Sequence, residues 1–220
     1  MTAGRTVIGN SRDWCTPQKY VDAVREVLGE VALDPCSNAW SIVKAKTEWK
    51  LPDNDGLIPD WNYRTIYVNP PYGSDQERGT RIIDWLRKCS GAHEQFGSEV
   101  IALVPIAANT KHWKLYVWPT AASVCFLYDT RLRFLVDGRD DGKGAPMACA
   151  AIYWGRDKAK FAKVFYRHGA VVDLHNIALP TSAKQPKLQL VASEYFQEKH
   201  DLAGTIARHR QLLSASEGEP

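Results

Sequence analysis

An α/β layered fold with a mostly parallel sheet and a late antiparallel hairpin is what this sequence predicts, and three observations carry the prediction. Short apolar, β-branched runs, VALDP (31–35), TIYVN (65–69) and EVIALVP (99–105), alternate with segments of helical spacing. Strong helix punctuation brackets the first of those segments. Two late strand candidates, RLRFLV (131–136) and MACAAIYW (147–154), are separated only by the polar loop DGRDDGKGAP, which suits a hairpin.

The elements follow in order. In WCTPQKYVDAVREVLGE, Thr16 can cap, Pro17 suits the first helical position and Gly29 suits the exit, while Val21, Val24, Val27 and Leu28 share one face. VALDP then reads as a short buried strand ending at Asp34. Residues 37–64 are mostly polar and irregular. TIYVN is the second clear strand and sets Asn69 at its carboxyl end. A helix over 75–89, with Ile82, Ile83 and Leu86 on one face, is expected to close at Gly91 before the strand EVIALVP. NTKHWKLYVW is a short helix candidate, SVCFLY a further strand, and a helix over 157–168 and a strand AVVDL complete the layered part. A Pro-containing linker and a C-terminal helix with a frayed tail (192–220) are expected to follow, and the first dozen residues to be flexible.

Composition sets the frame for function. With 220 residues, 45% hydrophobic and 24% charged, the chain suits one soluble domain, 1–220, with a single core. A net charge of +3 and a pI near 8.5 permit a nucleic-acid partner without demanding one. The five cysteines, Cys15, Cys36, Cys89, Cys125 and Cys149, are odd in number and show no CxxC pairing, so neither a disulfide framework nor a metal site is expected and a reducing cytoplasm fits. No apolar run is long enough to span a bilayer, and MTAGRTVIGNSRD lacks the apolar core of a signal peptide.

In open α/β sheets ligands bind beyond the carboxyl ends of the strands, which would bring Asp34 and Asn69 to one site. The strand TIYV runs into Asn69-Pro70-Pro71-Tyr72. That sequence makes chemical sense for a planar substrate whose NH2 group must act as a nucleophile. The Asn69 side-chain oxygen and the Pro70 carbonyl each accept one N–H, turning the nitrogen lone pair out of conjugation. The prolines hold these acceptors still, and Tyr72 offers a stacking face that a base reaches by flipping out of a duplex. Simpler readings stand beside these: the tetrapeptide as a strand-ending turn, Asp34 as a turn former before Pro35, Asp55 as a solvated loop residue and Trp14 as a core anchor. Arg131 and Arg133 alternate on a predicted strand, where they suit phosphate contacts or a plain exposed face.

The segment 69–72 resembles the [DNS]PP[YF] motif of amino-methyltransferases. DWCTP (13–17), LDPCSN (33–38), DNDGLIPDW (53–61), YVNPPYG (67–73) and ALVPIAANTKHW (102–113) together resemble the phage-type DNA N6-adenine methyltransferases, with a weaker likeness extending to LYDTRLRF (127–134) and APMACAAIYW (145–154). The resemblance implies a Rossmann-like fold, S-adenosyl-L-methionine as cofactor, double-stranded DNA as partner and a phage, prophage or restriction-modification setting. It implies that Thr16 and Pro17 lie at the methionine end of the cofactor, that Asp34 ends the first cofactor strand, and that Asp55 lies near the cofactor's adenine. The chain departs from the family in one respect, since the glycine-rich loop of many methyltransferases is absent and DPCSN takes its place; Pro35, Cys36 and Ser37 are the cofactor residues that the resemblance implies at that position, and Glu48 is a candidate for the cofactor ribose. N4-cytosine methylation uses the same amide geometry, and a catalytically silent DNA-binding module of the same fold is the alternative from another class. Target choice is expected from loops after residue 73, the 137–146 loop or the C-terminal region.

Overall fold

Trp14–Cys15 form strand β1, after which α1 runs Gln18–Leu28, β2 Leu33–Asp34, β3 Thr47–Glu48, β4 Thr65–Val68, β5 Ser74–Asp75 and β6 Thr80–Arg81. Helix α2 (Ile82–Phe96), β7 (Glu99–Pro105), α3 (Lys111–Tyr116), β8 (Ser123–Leu127), β9 (Leu135–Val136), β10 (Arg139–Asp140), β11 (Cys149–Trp154), α4 (Lys158–Phe165) and β12 (Gly169–Asp173) follow. This computed structural model describes residues 14–129, 132–136, 138–140 and 147–180. Arg131, the first dozen residues and the expected C-terminal helix and tail lie outside the described residues.

The main sheet is mixed, with seven strands in the order β12-β8-β11-β7-β4-β2-β3. β2 with β3, β2 with β4, and β4 with β7 pair parallel; β7 with β11, β11 with β8, and β8 with β12 pair antiparallel. The expected mostly parallel sheet is therefore corrected on one flank. The reason is β11: all six of its residues are buried, and it slots between β7 and β8, aligning Ala150 with Val104 and Phe126. The expected hairpin of 131–136 with 147–154 does not form. Leu135 and Val136 pair instead with Cys15 and Trp14, and Arg139–Asp140 fold back on them around Gly138 (φ 74°) to make a separate three-stranded sheet. A run of polar residues is a turn signal, but which strands pair across the chain is a tertiary choice that no local pattern contains.

Side chains on each strand alternate between two helical layers. Tyr67, Ile101, Leu103, Cys125, Ala151 and Tyr153 join α1 and α4 in one apolar cluster, where Phe161 stacks on Tyr153 at 5.0 Å. Ile66, Val68, Val100, Ala102, Val104 and Ile152 alternate with them, are equally buried, and point to the opposite layer, where α2 packs on β7 and α3. Val21, Val24, Val27 and Leu28 are all buried as their spacing predicts. Thr16, however, does not cap α1: its hydroxyl is spent on the Tyr67 phenol at 2.6 Å.

Helix α2 begins and ends later than expected. Residues 74–81 form the β5–β6 hairpin, Asp84 accepts the Arg81 N–H at 2.9 Å to start the helix, and the turn passes Gly91 to stop at Gly97 in the left-handed conformation (φ 67°). Burial of Leu86, Cys89 and Ala92 outweighs the helix penalty of one glycine, about 1 kcal/mol. A Cβ at Gly91 would meet nothing within 4 Å. Gly91→Ala is accordingly expected to raise stability by about 1 kcal/mol, read as a higher unfolding midpoint.

The strand order has a reversal of the kind at which open α/β sheets bind ligands. From β2 the chain moves outward to β3, then returns to β4 on the other side of β2 and continues to β7. The switch point lies between β2 and β4, with Asp34 and Asn69 at their carboxyl ends.

Candidate active site

A cleft of ≈ 560 Å³ opens at this switch point. Its walls are the turn after β2 (Pro35, Cys36, Ser37, Asn38), the loop Trp49–Gly56, Asn69 and Pro71 after β4, Arg78 of the β5–β6 hairpin and Trp85 of α2. A void of ≈ 20 Å³ beside it shares Cys36, Ser37, Asn38 and Asn69 and adds Thr16, Asp34 and Tyr67. Most of the residues expected at one site are thus assembled there, drawn from segments 53 residues apart in sequence between Thr16 and Asn69.

Asn69 is oriented by its surroundings. Its Nδ2 donates to the Trp14 carbonyl at 3.0 Å, and its Oδ1 accepts from the Tyr72 hydroxyl at 3.2 Å. A carbonyl partner on one end and a phenol on the other leave a single sensible amide assignment. The oxygen keeps a second lone pair, so what Asn69 offers a further donor is an acceptor. Strand β1 exists to make this possible: its pairing with β9 carries the Trp14 carbonyl to the end of β4, and the Thr16–Tyr67 bond and the Cys15 thiol on Asn38 (3.3 Å) pin it there.

Tyr72 is held as firmly. Its hydroxyl also lies 3.2 Å from the Leu103 carbonyl, and its ring meets Trp14 and Phe134 edge-on, at 87° and 74°. Burial first, then the thiol of Cys149, raise its pKa well above the ordinary phenol value, so it stays a neutral donor. Pro70 is buried behind Asn69, and neither it nor Tyr72 lines the cleft as the structure stands.

Asp34 is 4% exposed, and its Oδ1 accepts the Cys36 N–H at 3.2 Å. Burial pushes its carboxyl up to about 7; the Cys36 hydrogen bond opposes that shift and the charge of Glu48 adds to it. Glu48 stands beside it in the parallel register of β2 and β3, with one oxygen on Lys50 at 2.8 Å and the other, Oε1, buried without a hydrogen-bond partner among the described residues. A buried acceptor left open costs free energy until a donor arrives. The Cys36 thiol is pushed well above its ordinary value by burial and by Asp34, which keeps it protonated and unsuited to act as a nucleophile.

The raised Asp34 value has a pH consequence. Between the ordinary carboxylate value and about 7 the folded protein holds a proton that the unfolded chain has lost, so Asp34 supports the fold at low pH and that support disappears as pH rises through about 7. In the ligand-free protein, Asp34→Asn is expected to remove this downward slope, gaining stability on the order of 4 kcal/mol relative to wild type at pH 8 and little at pH 4, measured by thermal melts across that range.

Two loops meet the turn after β2. Gly56 packs so tightly that a Cβ there would fall 1.7 Å from the Pro35 carbonyl oxygen. Asp55 caps its own loop through the Leu57 N–H (3.0 Å) and receives a two-pronged hydrogen bond from Arg78, Nε to Oδ2 at 3.1 Å and Nη2 to Oδ1 at 2.5 Å. Sequence reasoning missed Gly56 and Arg78: the first reads as an ordinary turn glycine in DNDG, and the second has no local partner pattern linking it to residue 55. Glu48 carried a weak signal as an isolated acid.

Pro17 and Arg133 are not brought to this cleft. They line a separate one of ≈ 530 Å³ with Lys19, Asp129 and Asp140. Arg133 lies outside any strand, correcting the alternating-strand expectation; it is exposed and 3.8 Å from Asp140.

The family model for DNA N-6-adenine-methyltransferase (Dam) matches residues 5–176. The chain belongs to that family. The Dam match runs from the segment that orients Asn69 through the last described strand and so includes every wall of the cleft. No curated protein matches the chain closely. Among the described residues of this Dam-family protein no helix is long and apolar enough to cross a membrane.

Proposed function

We propose that the protein transfers the methyl group of S-adenosyl-L-methionine to the N6 amino group of adenine in double-stranded DNA. The observation that carries this reading is the Asn69 amide at the switch-point cleft, whose nitrogen is committed to the Trp14 carbonyl and whose oxygen, bonded to the Tyr72 hydroxyl, can accept one further donor. The cleft has the volume of a nucleoside-sized ligand, and Glu48, a candidate for the cofactor ribose, stands beside Asp34 in the parallel register of β2 and β3. The strand order, with its switch point between β2 and β4, supports the Rossmann-like reading.

S-adenosyl-L-methionine, when bound, supplies an electrophilic sulfonium methyl. Cys36 and Ser37 of the turn, Asp34 and Glu48 of the paired strands, and Asp55 in the facing loop would hold it, while Thr16 would anchor the segment at its methionine end. Adenine enters the site flipped out of the duplex. Asn69 Oδ1 and the Pro70 carbonyl would accept its two amino hydrogens and turn the nitrogen lone pair out of conjugation with the ring. Tyr72 stacks on the base; no described ring lies parallel on it to take that place. Pro71 fixes the loop. No strong general base is required, because the methylated amine is acidic enough to lose its proton to water or to an accepting oxygen. Arg131 and Arg133 contact phosphates, and the chain acts as one domain in the cytoplasm of the cell whose DNA it modifies, in a phage, prophage or restriction-modification setting.

Incubation with unmodified DNA and methyl-labelled cofactor, then digestion to nucleosides, tests this. Label in N6-methyl-2′-deoxyadenosine is expected. Label in N4-methylcytosine, or cofactor binding with no transfer, overturns it in favour of the cytosine reaction or a silent DNA-binding module.

A further inference from the structure

Arg78 stands at the point where two walls of the cleft come together. It belongs to the β5–β6 hairpin, the stretch that leads directly from Tyr72 and Gly73 into α2. Its guanidinium crosses to Asp55 with the two-pronged bond described above, and its own hairpin grips it a second time, through Asp75 Oδ1 on its backbone N–H (3.2 Å) and Asp75 Oδ2 3.6 Å from Nη1. The side chains are only 18%, 23% and 9% exposed for Arg78, Asp55 and Asp75, so water screens the bridge weakly. The Asp55 side is rigid in turn, because Gly56 is pressed on the Pro35 carbonyl and Trp61 Nε1 donates to the Gly56 carbonyl at 2.8 Å. Asp55 already takes three N–H donors, two from Arg78 and one from Leu57, which leaves it a single acceptor position for anything else.

We propose that Arg78 is a positioning residue: its bridge to Asp55 straps the hairpin that follows the catalytic loop to the cofactor-side wall, fixing the width of the cleft and holding the cofactor in it. This rests on the methyltransferase reading and adds to it a residue that touches neither reacting group. When the bridge is intact, the turn after β2, the loop carrying Asp55 and the segment carrying Asn69 move as one body. When it opens, the cleft can exchange its ligand.

The test is the dissociation rate of tritiated S-adenosyl-L-methionine from the full chain, measured for wild type, Arg78→Gln and Arg78→Lys. Loss of a charge-assisted fork is expected to speed release about tenfold in Arg78→Gln and to raise KM for the cofactor more than it lowers kcat. Arg78→Lys keeps the charge without the fork and should fall between. A drop in melting temperature with release and KM unchanged would mark the bridge as merely structural and overturn the proposal. If Arg78→Gln does not fold, wild-type release from Arg78→Lys overturns it equally. Wild-type protein that binds no cofactor overturns the methyltransferase reading together with the strap, whereas unchanged release from a binding-competent pair of variants overturns the strap alone.

Discussion

Asn69→Ala lowers methyl transfer by about 10²- to 10³-fold while cofactor binding is retained. That magnitude is what loss of one oriented hydrogen-bond partner at the reacting group costs an enzyme. In the proposed mechanism the amide oxygen contributes in the transition state, when the amino nitrogen gives up conjugation with the ring and its hydrogens become stronger donors, so the loss is expected to fall on kcat more than on KM for DNA. A smaller structural effect accompanies it. The Trp14 carbonyl and the Tyr72 hydroxyl each lose a partner, for which the expected cost is about 1–2 kcal/mol of stability. Asn69→Asp separates the two effects. An acceptor oxygen remains for the substrate, but a carboxylate oxygen now faces the Trp14 carbonyl where a donor was, so the expected activity lies between alanine and wild type. Single-turnover rates with saturating cofactor measure this, and a wild-type rate in Asn69→Ala would mean that the amide takes no part.

Gly56→Ala is expected to be the most damaging single methyl group that can be added near the cleft. Its Cβ would meet a main-chain oxygen at 1.7 Å and the carbonyl carbon at 2.7 Å, and neither can rotate away. The Trp49–Gly56 loop must therefore lift from the turn after β2, taking Asp55 and the Arg78 bridge with it. Overpacking of this kind costs about 3 kcal/mol. Cofactor affinity should fall by at least about tenfold as the cleft deforms. Thermal melts and calorimetric titration of the cofactor check both numbers together. Unchanged affinity at normal stability would show that the two loops are not held against each other.

These two positions also show how unevenly the site was legible in the sequence. Asn69 was legible because its information is local: a β-branched run sets the strand, the motif begins where the run ends, and the prolines forbid any continuation. Asp34 was legible for the same reason. Gly56 was not, since a turn glycine and a glycine required by a close backbone approach look identical until the other backbone is in place.

The fold divided along the same line. Strands β4, β7 and β11, each buried almost throughout, were plain from composition, and their partners were not. The 131–136 segment was read as half of a hairpin because only a polar loop separates it from β11, yet Trp14–Cys15, over a hundred residues away in sequence, compete successfully for its backbone. Strand β3 went unseen because two residues carry no period; it exists through its register on β2, which sets Glu48 beside Asp34. Thr16 shows the opposite case, a strong local capping signal overridden because the Tyr67 phenol offers a buried hydroxyl partner.

The most direct measurement of the central claim is the modified-base content of DNA from a host lacking adenine methylation, after expression of wild type or Asn69→Ala. N6-methyladenine in the wild-type sample and its near absence with Asn69→Ala is the predicted result. Equal N6-methyladenine with both proteins, or none with a wild-type protein shown to bind S-adenosyl-L-methionine, would contradict it.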